Sequence, residues 1–420
     1  MRDIHCLEDY YELFRMKWWN SSSNFKQCLD RVTPAEKKKR QKKLNGMLNK
    51  LFKHLDSVPV NDEDIDKWKQ KGRRIIGQAI KKDDYFNIGD VDNRLRDNFI
   101  ESTKTFIKTA REFDKNLSIA DIGQAMRNVW IINMIQSLLG EEIKFTRAIY
   151  GYSMLYPYTD NYLDSPEVSI EDKKEFNERF YKRLRGENIE PVNPNEEKVY
   201  KLVEDIESIF GRKRYPKVYE SLYTIHEGQI KSLTQQDKVT IPYERDILGI
   251  SIEKGGASVL VDGYLVNGEL TSKNIEFCVG YGFLLQVADD LQDVKEDFKN
   301  NHITIMSQLA GKYNLDPLAN KLINFTIGLL EEYEADEGRD ISNLKNLIKN
   351  NCVFLILFSM ILSKEYFSEE YIRIQEEFLP FSMEYIENLK FNLGNKFKEI
   401  KEKNNWTDER LMDVLDKVIE

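Results

Sequence analysis

Tyr281-Gly282-Phe283-Leu284-Leu285-Gln286-Val287-Ala288-Asp289-Asp290-Leu291-Gln292-Asp293-Val294-Lys295-Glu296-Asp297 is the stretch around which the chain is organised. Its first half is apolar at helical spacing, which places it in a core. Its second half sets four aspartates and a glutamine on that same helix. Residues three and four apart share a helix face, so Gln286, Asp289 or Asp290, Asp293 and Asp297 are expected to form one continuous acidic stripe. Like charges at that spacing repel. The stripe is tolerable if it is a solvated face, or if cations neutralise it, and Mg²⁺ is the usual cation where paired carboxylates also meet a phosphate.

Working back from this stretch, Ile250-Ser251-Ile252-Glu253-Lys254-Gly255-Gly256 sets a lysine before a glycine pair inside a helical pattern. A glycine pair costs a helix about 1 kcal/mol per residue relative to alanine. A bend, or close approach to a ligand, is therefore expected there, with Lys254 able to meet phosphate oxygens in a cavity or to sit on the surface beside a helix break. Thr271 or Ser272 caps the helix that carries the quoted stretch. Further back, Tyr219 to Gln236 reads as a helix bearing His226 and Gln229, and His226 alone reads as a core histidine.

A second acidic pair lies at Thr159-Asp160-Asn161-Tyr162-Leu163-Asp164. Asp160 and Asp164 are again four apart, at the C-terminal end of an aromatic helix that is expected to begin near Glu141 and to stop before Ser165-Pro166. The helix dipole does not favour carboxylates there. Either a cation holds them or the segment is a helix-ending cap. The preceding helix opens with the capping box Ser118-Ile119-Ala120-Asp121 and carries Arg127 within an apolar run, where it pairs with a core carboxylate or contacts an anion.

The rest of the chain bounds the answer. Its 420 residues contain only ten prolines and 21 glycines, which favours helices joined by short connections. Residues 1–115 are highly charged and read as an N-terminal helical extension packed on the core. Residues 116–420 read as the helical catalytic domain. The basic run Lys37-Lys38-Lys39-Arg40 with Lys42-Lys43 belongs to an amphipathic helix and reads as its solvated face. A net charge of −9 argues against a nucleic-acid surface. Cys6, Cys28, Cys278 and Cys352 lack paired spacing and suit reduced thiols in a cytoplasmic protein. The most apolar run, Val353 to Leu362, is about half the length needed to cross a bilayer, and no membrane span is expected.

Taken together, these motifs resemble the class I isoprenoid synthases, and most closely the trans-polyprenyl diphosphate synthase branch. That family's second aspartate-rich motif is nearly reproduced by Gly282 to Asp293. Gly228-Gln229 is similar to its GQ motif, Lys254-Gly255 to its KT motif, and Asp160 to Asp164 to its first aspartate-rich motif, all in the family's order. The resemblance covers roughly residues 115–360. It implies an all-α fold, a single large helical bundle of the isoprenoid synthase type with an added N-terminal helical arm.

The resemblance also implies chemistry. Asp160, Asp164, Asp289, Asp290, Asp293 and Asp297 would hold Mg²⁺, three ions in all. Arg127, Lys254 and Gln286 would meet the diphosphate of an isoprenyl diphosphate substrate or its metal shell, and Lys254, Gln229 and Asp289 would act in catalysis. Neutralising the departing diphosphate drives ionisation to a carbocation, which an apolar pocket must keep from water. Tyr152, Tyr156, Phe283 and Trp130 lie on helices from which an aromatic face could stabilise that cation, and each also suits plain core. A homodimer is implied as well.

Two departures decide between subtypes. The arginine-rich motifs that serve isopentenyl diphosphate in chain-elongating enzymes are missing: Asp164 is followed by Ser165-Pro166-Glu167-Val168, and Lys71-Gly72-Arg73-Arg74 lies too far upstream. Asp289, Asp293 and Asp297 instead have the spacing of the second metal motif of terpene cyclases. The expected activity is therefore that of a terpene synthase, a lyase that ionises one allylic diphosphate to a cation that is cyclised or deprotonated. Prenyl transfer by a diphosphate synthase and a non-catalytic helical partner subunit are the alternatives.

Overall fold

Ile247–Asn267 is apolar on every side, and fourteen of its residues are buried, from Ile247 and Gly249 to Tyr264 and Leu265. A helix without a polar face has to be surrounded by others. In the computed structural model, which describes residues 6–59, 62–81, 92–165, 167–236, 244–407, 410 and 414, it is. Among these residues there are sixteen α-helices, three short 3₁₀ turns and no strand, so the chain is all-α. In chain order the helices are α1 Leu7–Asn20, α2 Pro34–Leu55, α3 Asp62–Lys81, α4 Asn93–Phe113, α5 Ile119–Leu139, α6 Arg147–Asp164, α7 Ile170–Leu184, α8 Pro194–Ile209, α9 Pro216–Leu233, α10 Ile247–Asn267, α11 Ser272–Gln292, α12 Val294–Asn300, α13 Asp316–Glu332, α14 Ser342–Leu362, α15 Glu369–Glu376 and α16 Met383–Lys403.

The chain forms two compact units. The first comprises Met1–Ser21, Asp97–Gln308 and Ile327–Ile341. In it α10 packs against α9 and α11, and also meets α1, α5 and α6. Local chemistry sets the helix starts. Ser118 and Asp121 form a reciprocal capping box on α5, with Ser118 Oγ accepting from the Asp121 N–H at 3.1 Å. Thr146 caps α6 and Thr271 caps α11. Helix α6 thus starts at Arg147 and not near Glu141, because Gly140 stops α5 in the left-handed region and residues 141–146 form a connection. Helix α1 lies on the same core: Trp18 meets Phe283 edge-on, with ring centroids 5.5 Å apart, and Lys17 bridges Glu276 and Glu332.

Helix α10 runs unbroken through Gly255 and Gly256. The glycines serve close approach to a neighbouring helix. A Cβ at Gly255 would lie 2.5 Å from the Gly282 carbonyl oxygen, and one at Gly282 would lie 2.0 Å from that of Gly255. Helices α10 and α11 therefore cross in backbone contact. On the other side, a Cβ at Gly228 of α9 would lie 3.2 Å from Lys254 Cα.

The second unit comprises Ser22–Arg96, Leu309–Thr326 and Ser342–Glu420. Its core includes Phe52, Leu55, Trp68, Ile400 and Val414, and the Trp68 indole stacks on His54 while donating to the His54 carbonyl at 2.9 Å. On α2, Lys37 is buried, whereas Lys38, Lys39 and Lys42 are exposed, as a solvated face requires. Helix α14 is 21 residues long and apolar enough to span a bilayer by length and composition. Its first half nevertheless carries Lys345, Lys349 and four asparagines, and Cys352, Val353, Ile356, Leu357 and Met360 are buried in the protein. That pattern is consistent with a core helix and no membrane span.

Candidate active site

The glycine contacts carry the candidate residues with them. Gly228 on Lys254 holds Gln229 beside α10, and Gly255 on Gly282 holds Lys254 beside the helix that carries Gln286. From α5, Arg127 joins this group, since its charge and that of Lys254 both act on Asp289. Neither cation has a hydrogen-bond or ion-pair partner among the described residues. The structure thus brings Arg127, Lys254, Gln286, Asp289, Asp290, Asp293 and Asp297 into one electrostatic neighbourhood.

The acidic stripe is not one continuous helix. Helix α11 ends at Gln292, Asp293 adopts φ −98° and ψ 6°, and the short α12 begins at Val294. The turn keeps helical hydrogen bonding, from the Asp293 N–H to the Asp289 carbonyl and from the Asp297 N–H to the Asp293 carbonyl, both at 2.9 Å. The carboxylates therefore stay near one another while their strict periodicity is lost.

Each of these carboxylates has its own environment. Desolvation raises the pKa of Asp289, Arg127 and Lys254 oppose it, and Asp297 adds to it. Yet the Asp289 side chain is open to solvent. Both statements hold for a carboxylate lining a recess. Asp290 is only 4% exposed and accepts a hydrogen bond from Gln286 Nε2 at 2.9 Å, while its other oxygen has no partner. Desolvation above all, with Asp289 and Asp297 adding to it, pushes its pKa to about 7. Asp293 is raised by desolvation and by Asp289 and Asp297. Asp297 pairs with His302 Nδ1 at 3.1 Å, a partner the sequence did not reveal.

Asp160, on the last turn of α6, is half-buried and accepts from Thr159 Oγ1 at 3.3 Å. The side chain of Asp164 and residue Pro166 lie outside the described residues. Among the described residues no three His, Cys, Asp or Glu side chains are gathered to hold one ion. Mg²⁺ does not require such a cage, for it is ordinarily held by one or two carboxylates together with water and substrate phosphate. The donor set fits it: oxygen ligands only, crowded enough to raise one another's pKa, with one buried carboxylate oxygen unpartnered.

Below Asp160 an apolar cavity of about 20 Å³ lies between α6, α7 and α9, room for about one water molecule. Tyr152, Tyr156 and Thr159 line it from one side, and Phe180, His226 and Gln229 from the other. The other two aromatics considered face elsewhere. Trp130 is 43% exposed and donates to Thr103 Oγ1 at 2.9 Å, and Phe283 is wholly buried against Trp18. Helices α5 and α11 are apolar on several faces, so periodicity alone does not say which side meets the cavity.

One buried acid escaped sequence reasoning. Asp262 of α10 is fully buried; Oδ1 accepts from Asn128 Nδ2 at 3.1 Å and Oδ2 has no partner. Its signal was there to read, an aspartate inside Val259-Leu260-Val261-Asp262-Gly263-Tyr264-Leu265. Burial raises its pKa well above the ordinary carboxylate range. As pH rises through that range the unfolded chain loses this proton while the folded chain keeps it, so stability from this group is full at low pH and falls as pH rises. Asp262→Asn is expected to flatten the fall in melting temperature between pH 5 and pH 7.5, and calorimetry of both proteins checks this.

Family models, curated proteins and solved structures were compared with the chain, and none matches.

Proposed function

We propose that this chain is a Mg²⁺-dependent class I isoprenoid synthase that ionises a single allylic diphosphate to a carbocation, which is then cyclised or deprotonated. The observation that carries the reading is that the charges of Arg127 and Lys254, on two helices, both act on the Asp289 carboxylate of a third, with neither cation paired among the described residues. Asp289, Asp290 and Asp293 would hold the metal, with Asp160, Asp164 and Asp297 as the further candidates. Mg²⁺, when bound, neutralises the diphosphate and makes it a better leaving group.

The protein's own groups supply the rest. Lys254 and Arg127 have no partner among the described residues, which suits them to bind the diphosphate and stabilise the charge that develops on it. Gln286 holds Asp290 by its amide and so fixes the orientation of that carboxylate. Tyr156 hydrogen-bonds Ser258 Oγ at 2.6 Å, and Tyr152 donates to the Ser258 carbonyl at 3.1 Å. These bonds lock both rings in place at the cavity, and their bulk helps to exclude water.

A second reading, a non-catalytic helical subunit, is favoured by the small volume of the cavity. Product analysis separates the readings. The purified chain, incubated with Mg²⁺ and allylic diphosphates of increasing length, is expected to give a hydrocarbon or alcohol without isopentenyl diphosphate. A longer diphosphate that forms only when isopentenyl diphosphate is added would instead identify a prenyltransferase, and no turnover would identify the subunit.

A further inference from the structure

The chemistry proposed above draws only on the first unit. In the second unit an open groove of about 500 Å³ runs between α2 and α16, a volume in the range of ligand sites. The contacts of the two helices advance together in sequence, so they run parallel, and they are pinned to each other at both ends. At one end Gln41 Nε2 donates to Ser382 Oγ at 2.6 Å and the Tyr385 hydroxyl donates to Asn45 Oδ1 at 2.7 Å. At the other, Phe52 meets Phe397 edge-on with ring centroids 5.2 Å apart, and Asn404 Nδ2 donates to Asp56 Oδ1 at 2.9 Å. The groove between these pins is therefore preformed.

Its lining is unlike a solvated helix face. Helix α2 carries eight lysines and arginines, and none of them lines the groove. The amides of Gln41, Asn45 and Asn49 line it from that side, and those of Asn388 and Asn392 from α16. Leu48, Leu389 and Leu393 form a half-buried apolar floor, which a face meant only for water does not need. The Asn49 and Asn392 side chains make no hydrogen bond among the described residues. Asn388 Nδ2 donates to the Glu384 carbonyl at 2.7 Å, and its side-chain oxygen has no partner there. The charged groups that reach the groove, Glu384 and Lys396, stand about three helical turns apart on α16, and Lys396 is already paired with Glu399 at 2.6 Å.

An amide both donates and accepts, as the peptide main chain does, and it carries no charge. The amides of α2 recur every four residues, about 6 Å along the helix axis. In an extended peptide the residues that face one side recur at about 6.7 Å. Over the two steps from Gln41 to Asn49 the two repeats agree to well within the reach of a side chain. We propose that this groove binds an extended, uncharged peptide segment. Asn49, Asn388 and Asn392 hydrogen-bond its main chain, and its alternate apolar side chains enter the leucine floor. A helix would not use this lining, because its backbone groups are already paired with one another and offer the amides nothing.

The inference is independent of the reaction proposed above, and so is its test. A displayed library of random linear heptapeptides is selected on the whole protein, and the enriched sequences are synthesised and titrated by fluorescence anisotropy against wild type, Asn49→Ala and Asn392→Ala. Both positions are exposed, so the variants keep the fold. The enriched peptides are expected to lack charge, to be apolar at every second position and to bind each variant about tenfold more weakly, the scale of a lost hydrogen bond. Methylating the main-chain nitrogens of such a peptide is expected to abolish binding. The proposal is overturned if no sequence is enriched, if wild type and both variants bind equally well, or if binding survives methylation. Enrichment of sequences apolar at three- and four-residue spacing overturns it as well, since that is the signature of a docked helix.

Discussion

Asp289→Ala is expected to lower turnover about a thousandfold, some 4 kcal/mol of transition-state stabilisation, without unfolding the protein. Both halves follow from its position. Asp289 is open to solvent and its side chain makes no hydrogen bond among the described residues, while Arg127 and Lys254 both act on it. Its negative charge also raises the pKa of Asp290 and Asp293, so its removal relieves repulsion in the metal-free protein. Single-turnover kinetics with saturating Mg²⁺, paired with thermal unfolding, measures both effects. A solvated acidic face would give the opposite pattern, unchanged turnover.

Gly282→Ala is expected to have the largest effect on stability, a loss of about 3 kcal/mol. The new methyl would lie 2.0 Å from the Gly255 oxygen and 3.1 Å from Gly256 Cα. Both are backbone atoms that cannot swing aside, so α10 and α11 must move apart. The roughly 1 kcal/mol that alanine gains over glycine in a helix does not offset this. Activity should fall as well, since Lys254 and Gln286 sit directly beside this contact and a shift of about 1 Å can cost a hundredfold. Gly123→Ala on α5 is the control. Nothing lies within 4 Å of its Cβ, and it is expected to stabilise by about 0.5–1 kcal/mol. Urea titration of the two variants reads the contrast.

How far the sequence could be read depended on whether the deciding interaction was local. Ser118 with Asp121, Thr271, and the end of α6 at Asp164 are decided within a few residues, and each was legible. The glycine pair was legible as a special position but not as to its purpose, because a bend and a backbone crossing leave the same mark on one helix. The acidic stripe was legible as a cluster, while the turn at Asp293 and the His302 partner of Asp297 were not, because they depend on the chain beyond the stretch. No local pattern announces that Ser22–Arg96 clusters with Ser342–Glu420. At the site, Arg127 and Lys254 could be singled out as cations in apolar stretches, but that both charges act on Asp289 required three helices to be placed.

The central claim is that these charges serve to ionise an allylic diphosphate. It is tested most directly by measuring diphosphate released from allylic diphosphates of increasing chain length, with Mg²⁺ and then with the metal chelated. Release that requires Mg²⁺, occurs without a second substrate and is lost in Asp289→Ala is the predicted result. No release from any chain length by a folded protein saturated with Mg²⁺ would contradict it.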